Sequence, residues 1–152
     1  LTLAYTLQGV IEFARHPASF TGEGQNRENR DEEPEMRQRT NDAYYSRISR
    51  LSEHDDEFAK LRTIRMRFRA YFGEQAQESL SAFTTTRNEI SSAVGMLISL
   101  EEDERYPQDL ILKFQNIIWD MSLEDKPDEI RSRINQAVKN IETVCQPILT
   151  KR

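Results

Sequence analysis

The chain has 152 residues and a mass of 17.8 kDa, enough for one domain with a real core and too short for two ordinary ones. With 21 Lys and Arg against 26 Asp and Glu, the net charge of −5 excludes a nucleic-acid footprint spread over the whole surface and leaves room only for a local basic patch. Hydrophobic residues at 37%, charged residues at 31% and a mean hydropathy of −0.75 suit elongated helices that bury narrow stripes, and five Gly with five Pro are too few for the turns of a sandwich or barrel.

A single cysteine, Cys145, rules out an internal disulfide framework and a zinc site of several thiolates, and places the domain in a reducing compartment, the cytoplasm. No run approaches the roughly 20 apolar residues of a membrane span. The chain starts at Leu1 rather than Met, so a processed leader or a membrane helix upstream of it is an expectation.

In chain order, a first helix is predicted over about residues 2–15, with Leu3, Leu7, Val10 and Ala14 on one face and an end before Pro17. It forms an N-terminal unit, residues 1–20. Residues 21–35 contain no hydrophobic side chain and read as a solvated polar linker, which would leave the first helix loosely tied to the remaining domain, residues 36–152. Pro34 can open the second helix. Tyr44, Ile48, Leu51, Phe58, Leu61, Ile64, Phe68 and Phe72 then recur in helical steps over about 29 residues, roughly 44 Å, as one long helix or two nearly collinear ones.

Gly73 suits a left-handed C-terminal turn, and the next helix carries a heptad seam of Ala76, Leu80, Phe83, Arg87, Ile90, Val94 and Leu97. The acidic run 101–104 and Pro107 should end it. Leu110, Phe114, Ile117 and Met121 mark a shorter fourth helix bearing Trp119, and Pro127 opens the last, with Ile130, Ile134, Ala137, Ile141, Val144 and Ile148 buried and Pro147 stopping or kinking its end. The predicted fold is therefore all-α, an elongated antiparallel bundle built on a long helical hairpin about Gly73, with coiled-coil-like seams.

Three clusters invite a chemical reading. Glu53, His54, Asp55, Asp56 and Glu57 combine histidine with carboxylates, but their spacing does not match a helical di-metal site, so no metal or other cofactor is expected and a solvated acidic face is the plainer alternative. Arg87 stands in an apolar seam. Counting from Gly73 in an antiparallel hairpin sets it opposite Ala59, about one turn from Asp55 and Asp56, and predicts a buried or half-buried ion pair with one of them whose loss should cost on the order of 3 kcal/mol. Arg62, Arg65 and Arg69, with Arg67 nearby, form a ridge able to meet phosphate or an acidic partner, or simply a solvated face. Its neighbours Phe58 and Phe72 belong to the apolar stripe, which leaves no aromatic free to stack bases and argues further against nucleic acid.

Arg47 and His54 lie seven apart on one helix face and resemble the arginine and histidine signature of HEPN-type helical ribonucleases. That resemblance implies acid/base chemistry at His54, a phosphate held by Arg47, and a site commonly completed across a dimer. Cys145 reads as a core thiol, and no Ser-His-Asp, Cys-His or Gly-rich phosphate-loop arrangement can be assembled.

The stretch 65–97, with Arg-x-Arg-Phe-Arg-Ala-x-Phe-Gly-Glu followed by Thr-Arg-Asn-Glu-Ile-x-x-Ala-x-x-Met-Leu, resembles a type of uncharacterised bacterial protein. The resemblance extends in layout over most of residues 44–150, including the ending Ile-Glu-Thr-Val-Cys-Gln-Pro-Ile-Leu. It implies one N-terminal membrane helix outside this chain and a helical domain at the inner face of the membrane, with no activity to transfer. The expected function is a non-catalytic helical interaction or assembly domain that binds a protein partner or self-associates through the arginine ridge. A ribonuclease acting through Arg47 and His54 is the alternative.

Overall fold

A computed structural model describes residues 1–100 and 106–151. It is all-α: α1 (Thr2–Ala14), α2 (Glu35–Ser52), α3 (Asp55–Phe72), α4 (Glu74–Leu100), α5 (Gln108–Ile118) and α6 (Glu129–Leu149) pack against one another, with a short 3₁₀ turn at Arg30–Glu32. The acidic run 101–104, expected to close the helix that contains Arg87, lies outside the described residues.

Of the two expected alternatives over this stripe, one long helix or two, the structure has two. The break falls at Glu53 and His54, where His54 (φ −116°, ψ 24°) leaves helical geometry and accepts the first bond of α3 from the Phe58 N–H. Both segments pack along α4, which they share as a partner. The break shifts the phase of the stripe. Tyr44 and Leu51 of α2 and Phe58 and Leu61 of α3 are buried, whereas Ile64 turns outward. Gly73, at φ 86° and ψ 179°, occupies a region open in practice only to glycine, which allows α4 to start at once on the reversed course.

Side-chain contacts fix the antiparallel registers. Along α1 and α6, Tyr5 donates to Glu142, Gln8 to Asn135 (2.9 Å) and Arg15 to Asp128 (3.1 Å). Along α4 and α6, Arg133 meets Glu89 and Asn140 donates to Ser79 (3.3 Å). One end of the bundle therefore gathers the start of α1, the Gly73 turn and the end of α6. The core runs through the middle, with Leu7, Phe58, Phe83, Ile90, Leu97 and Ile134 buried.

Two expectations at the N-terminal end change. α1 is part of the core: Ala4, Leu7, Val10, Ile11 and Ala14 are all buried against α2, α3, α4 and α6. The polar segment 21–35 is a folded strap on α2. Arg27 forks onto Glu33 (2.7 and 2.8 Å) and reaches Asp42 (3.0 Å), Arg30 also meets Asp42 (3.0 Å), and Gln38 donates to the Arg30 and Glu33 carbonyls (3.0 Å each). A segment without apolar side chains is held here by charge-assisted bonds, which are about twice as strong as neutral ones. At Gly24 (φ 76°) a Cβ would lie 2.1 Å from the Asp42 carbonyl oxygen. Gly24→Ala is thus expected to lose at least about 1–3 kcal/mol by combining a left-handed backbone with that clash, measurable as an earlier denaturant midpoint.

At the C-terminal side, α5 ends at Ile118, one turn before the expected Met121, which is exposed. α6 begins at Glu129 because the Asp128 carboxylate caps it, accepting from the Arg131 N–H at 2.9 Å. Pro147 lies inside the last turn of α6 without ending it, since there it removes only one intrahelical bond. Among the described residues, no helix is long and apolar enough to cross a membrane.

Candidate functional site

Where α1, α2, α5 and α6 meet, three arginines are buried: Arg15 and Arg50 each finish the end of a helix other than their own, and Arg47 holds the connection between α1 and α2. Arg50 donates to the Phe13, His16 and Ala18 carbonyls (3.0, 3.1 and 2.6 Å), forks onto Glu23 (2.8 and 2.9 Å), and lies 4.5 Å from the Phe13 ring centroid. Arg15 of the α1 end crosses to the last carbonyls of α5, at Ile117 (2.8 Å), Asn116 (3.0 Å) and Trp119 (3.3 Å), and pairs with Asp128 at the start of α6. Carbonyls at a helix end have no partner in their own helix and carry the negative pole of its dipole, so a guanidinium with five donors satisfies both needs.

Arg47 is 0% exposed and donates to the Ser19 hydroxyl (3.0 Å), the Ser46 hydroxyl (2.6 Å) and the carbonyls of Ala43 and His16, with no carboxylate among these partners. Burial, with the Arg50 charge beside it, brings its guanidinium down to about 10. His54 lies at the α2–α3 junction, half-buried, its Nδ1 3.7 Å from Glu57 and without a hydrogen bond. The structure does not bring Arg47 and His54 to one open site. The Arg47 donors are committed to the α1–α2 connection, and a phosphate would have to displace them. Among the described residues, no group of three or more His, Cys, Asp or Glu side chains is placed to hold a metal ion.

The carboxylates of this node are held ionised. Hydrogen bonds from Arg50 hold Glu23 below the usual carboxylate range, and those from Arg27 do the same for Glu33; at Asp128 burial pushes upward, and the bonds from Arg15 and the Arg131 N–H outweigh it. A lowered folded-state value means that the unfolded chain takes up protons first as the pH falls. The stability these groups contribute is complete above the ordinary carboxylate range and is lost as pH drops through it. Melting temperature should therefore stay level down to about pH 5 and fall steeply below about pH 4.5, as calorimetry across that range will show.

Arg87 meets Asp55, as the register count anticipated, and its guanidinium lies 4.6 Å from the Phe58 ring centroid; Asp56 is exposed and is not its partner. The Asp55 side chain is 61% exposed, so water already screens the pair. Arg87→Met should accordingly cost about 1 kcal/mol in a denaturant titration, rather than the roughly 3 kcal/mol of a buried pair.

The arginine ridge lies on the outer side of α3, whose only buried residues are Phe58 and Leu61. Beyond Leu61, Phe68 and Phe72 continue the inner face half-buried, with ring centroids 4.6 Å apart. Arg62, Arg67 and Arg69 are exposed, and Arg65 is half-buried with its Nε unbonded. Arg69 lies 3.7 Å from Glu74. Between these cations, Ile64, Met66 and Tyr71 face outward, Met66 at 61% and Tyr71 at 82% exposure. A separate cleft of about 590 Å³ between α4, α5 and α6 is lined by Glu89, Arg133, Trp119 and Asp128, with Glu89 paired to Arg133 and Asp128 to Arg15.

The buried arginines were missed as structural residues in the sequence, where Arg15, Arg27 and Arg50 drew no attention and Arg47 was weighed only as catalytic. The one signal pointing to them was the hydrophobe-free segment itself, which alternates cations with acids. Comparisons with protein-family models, with curated proteins and with solved structures find no match.

Proposed function

We propose that this chain is a non-catalytic helical interaction and assembly domain that docks through the outer face of α3, and that it works in the cytoplasm at the inner face of a membrane. One observation carries the reading. α3 presents Lys60, Arg62, Arg67 and Arg69 together with Ile64, Met66 and Tyr71 on a regular helix, and packing requires none of these side chains inside. Exposed cations interleaved with exposed apolar groups on a rigid element have the composition of a recognition face, where Arg, Met and Tyr are enriched.

A photocrosslinking residue placed at Met66 or at Tyr71, in the protein expressed in its native cell, tests this. The expected result is a discrete adduct from both positions and none from Lys139 on the exposed side of α6. Equal labelling at all three positions, or none at any, would overturn the proposal.

A further inference from the structure

Resting on that reading and naming its partner, we infer that the outer face of α3 and the adjoining end of the bundle dock on an anionic phospholipid surface. Residues 58–73 contain Lys60, Arg62, Arg65, Arg67 and Arg69 and no acid, a local charge of +5 in a chain of −5, so the rest of the molecule carries −10. This run is the densest positive charge of the chain, flanked by Asp55, Asp56 and Glu57 on one side and Glu74 on the other. A negatively charged plane would attract that run and repel the remainder, which orients the molecule as well as binding it.

The apolar groups lie among these cations. Lys60, Ile64, Arg67 and Tyr71 follow one another at helical steps of four, three and four along one flank of α3, and Arg62, Met66 and Arg69 run along the opposite flank, since two residues along a helix turn it by roughly 200°. The first stripe sets two apolar side chains among two cations. A plane laid against it meets Lys60 and Arg67 at the phosphate oxygens while Ile64 and Tyr71 enter the headgroup layer, and the long arginines of the other flank can reach the same layer from its edge, the arrangement of a helix lying in an interface.

The end of the bundle adds to this surface. The α1–α6 and α4–α6 registers bring the end of α6 beside the Gly73 turn, and there Ile148 and Leu149 are exposed at 58% and 61%, followed by exposed Lys151. Glu74 and Glu78 are the acids at the start of α4, and Glu74 is neutralised in part by Arg69. The best-formed clefts lie between α4, α5 and α6, around Arg15, and against the 21–26 turn, and none of these is lined by α3. A partner helix needs a groove to lie in, whereas a bilayer does not.

The test is flotation of the purified chain with phosphatidylcholine vesicles and with vesicles that also contain phosphatidylserine. The chain should float with the mixed vesicles at low salt, be released as salt rises, and ignore pure phosphatidylcholine. Arg62→Glu/Arg67→Glu should weaken binding by about tenfold or more with an unchanged thermal melt, and Tyr71→Asp should weaken it at constant charge on the arginines. No flotation, or flotation that survives the double charge reversal, overturns the lipid assignment. Crosslinks from Met66 and Tyr71 to protein alone, without flotation, overturn it too while leaving the α3 face as the docking site.

Discussion

Arg50→Met is expected to lower the unfolding free energy by about 3–5 kcal/mol, the cost of stripping one partner from a buried charge pair. The methionine keeps most of the aliphatic stem, so the loss isolates the guanidinium. The Glu23 carboxylate loses its charged partner and the Ala18 carbonyl its arginine donor, while Glu23 keeps the Phe20 N–H, the Phe13 carbonyl keeps the His16 N–H and the His16 carbonyl keeps Arg47. At roughly 2–4 °C per kcal/mol for a chain of this size, the melting temperature should drop by about 10 °C or more. Denaturant unfolding followed by circular dichroism measures it. The variant should also expose the start of the 21–35 strap to proteases, because Glu23 is one of its charged ties to α2, beside Arg27 and Arg30 on Asp42.

Arg15→Met should have an effect of similar size, about 3–5 kcal/mol, through a different part of the fold. Arg15 is 1% exposed and joins three helices: it belongs to the α1 end, its side chain takes the Asn116, Ile117 and Trp119 carbonyls of the α5 end, and it pairs with the Asp128 that caps α6. Its own carbonyl accepts from the Asp120 N–H at 2.8 Å. Methionine would leave Asp128 without its strongest partner. Adding Asp128→Ser, which retains a cap for α6 but removes the orphaned charge, should recover part of the loss in a denaturant titration.

Much of the fold was legible because it follows apolar spacing. The all-α class, the hairpin at Gly73, the seam of α4 and the pairing of Arg87 with Asp55 all come from counting residues in steps of three and four. The same counting failed where burial is polar. The 21–35 segment has no apolar side chain, so nothing in its pattern points inward, yet Arg27, Glu33 and Asp42 hold it down. Arg47 and Arg50 sit three apart on α2, and nothing in the spacing of charged residues along a helix marks them as interior. Only the chain reversal near Pro17, which brings the His16 and Ala18 carbonyls over them, makes them interior. The break at His54 was legible as the polar interruption Glu53–Glu57 in the apolar stripe, but with no Gly or Pro to mark it the stripe alone did not decide between one helix and two, nor show that Ile64 turns outward.

The chain has 16 arginines against five lysines, and the structure divides its key arginines by role. Arg15, Arg47 and Arg50 are enclosed and satisfy helix-end and connection carbonyls, work suited to a planar group with five donors. Arg62, Arg67 and Arg69 stand outside, and the core does not need them. The proposal of α3 as a docking face rests on this division. It is tested most directly by comparing the denaturant unfolding free energy of Arg62→Glu/Arg67→Glu with that of Arg50→Met. The expected result is a change within about 0.5 kcal/mol for the exposed double variant, as for surface sites in general, against a loss several times larger for Arg50→Met. A comparable loss in both would contradict it, because the α3 arginines would then be residues that hold the fold together.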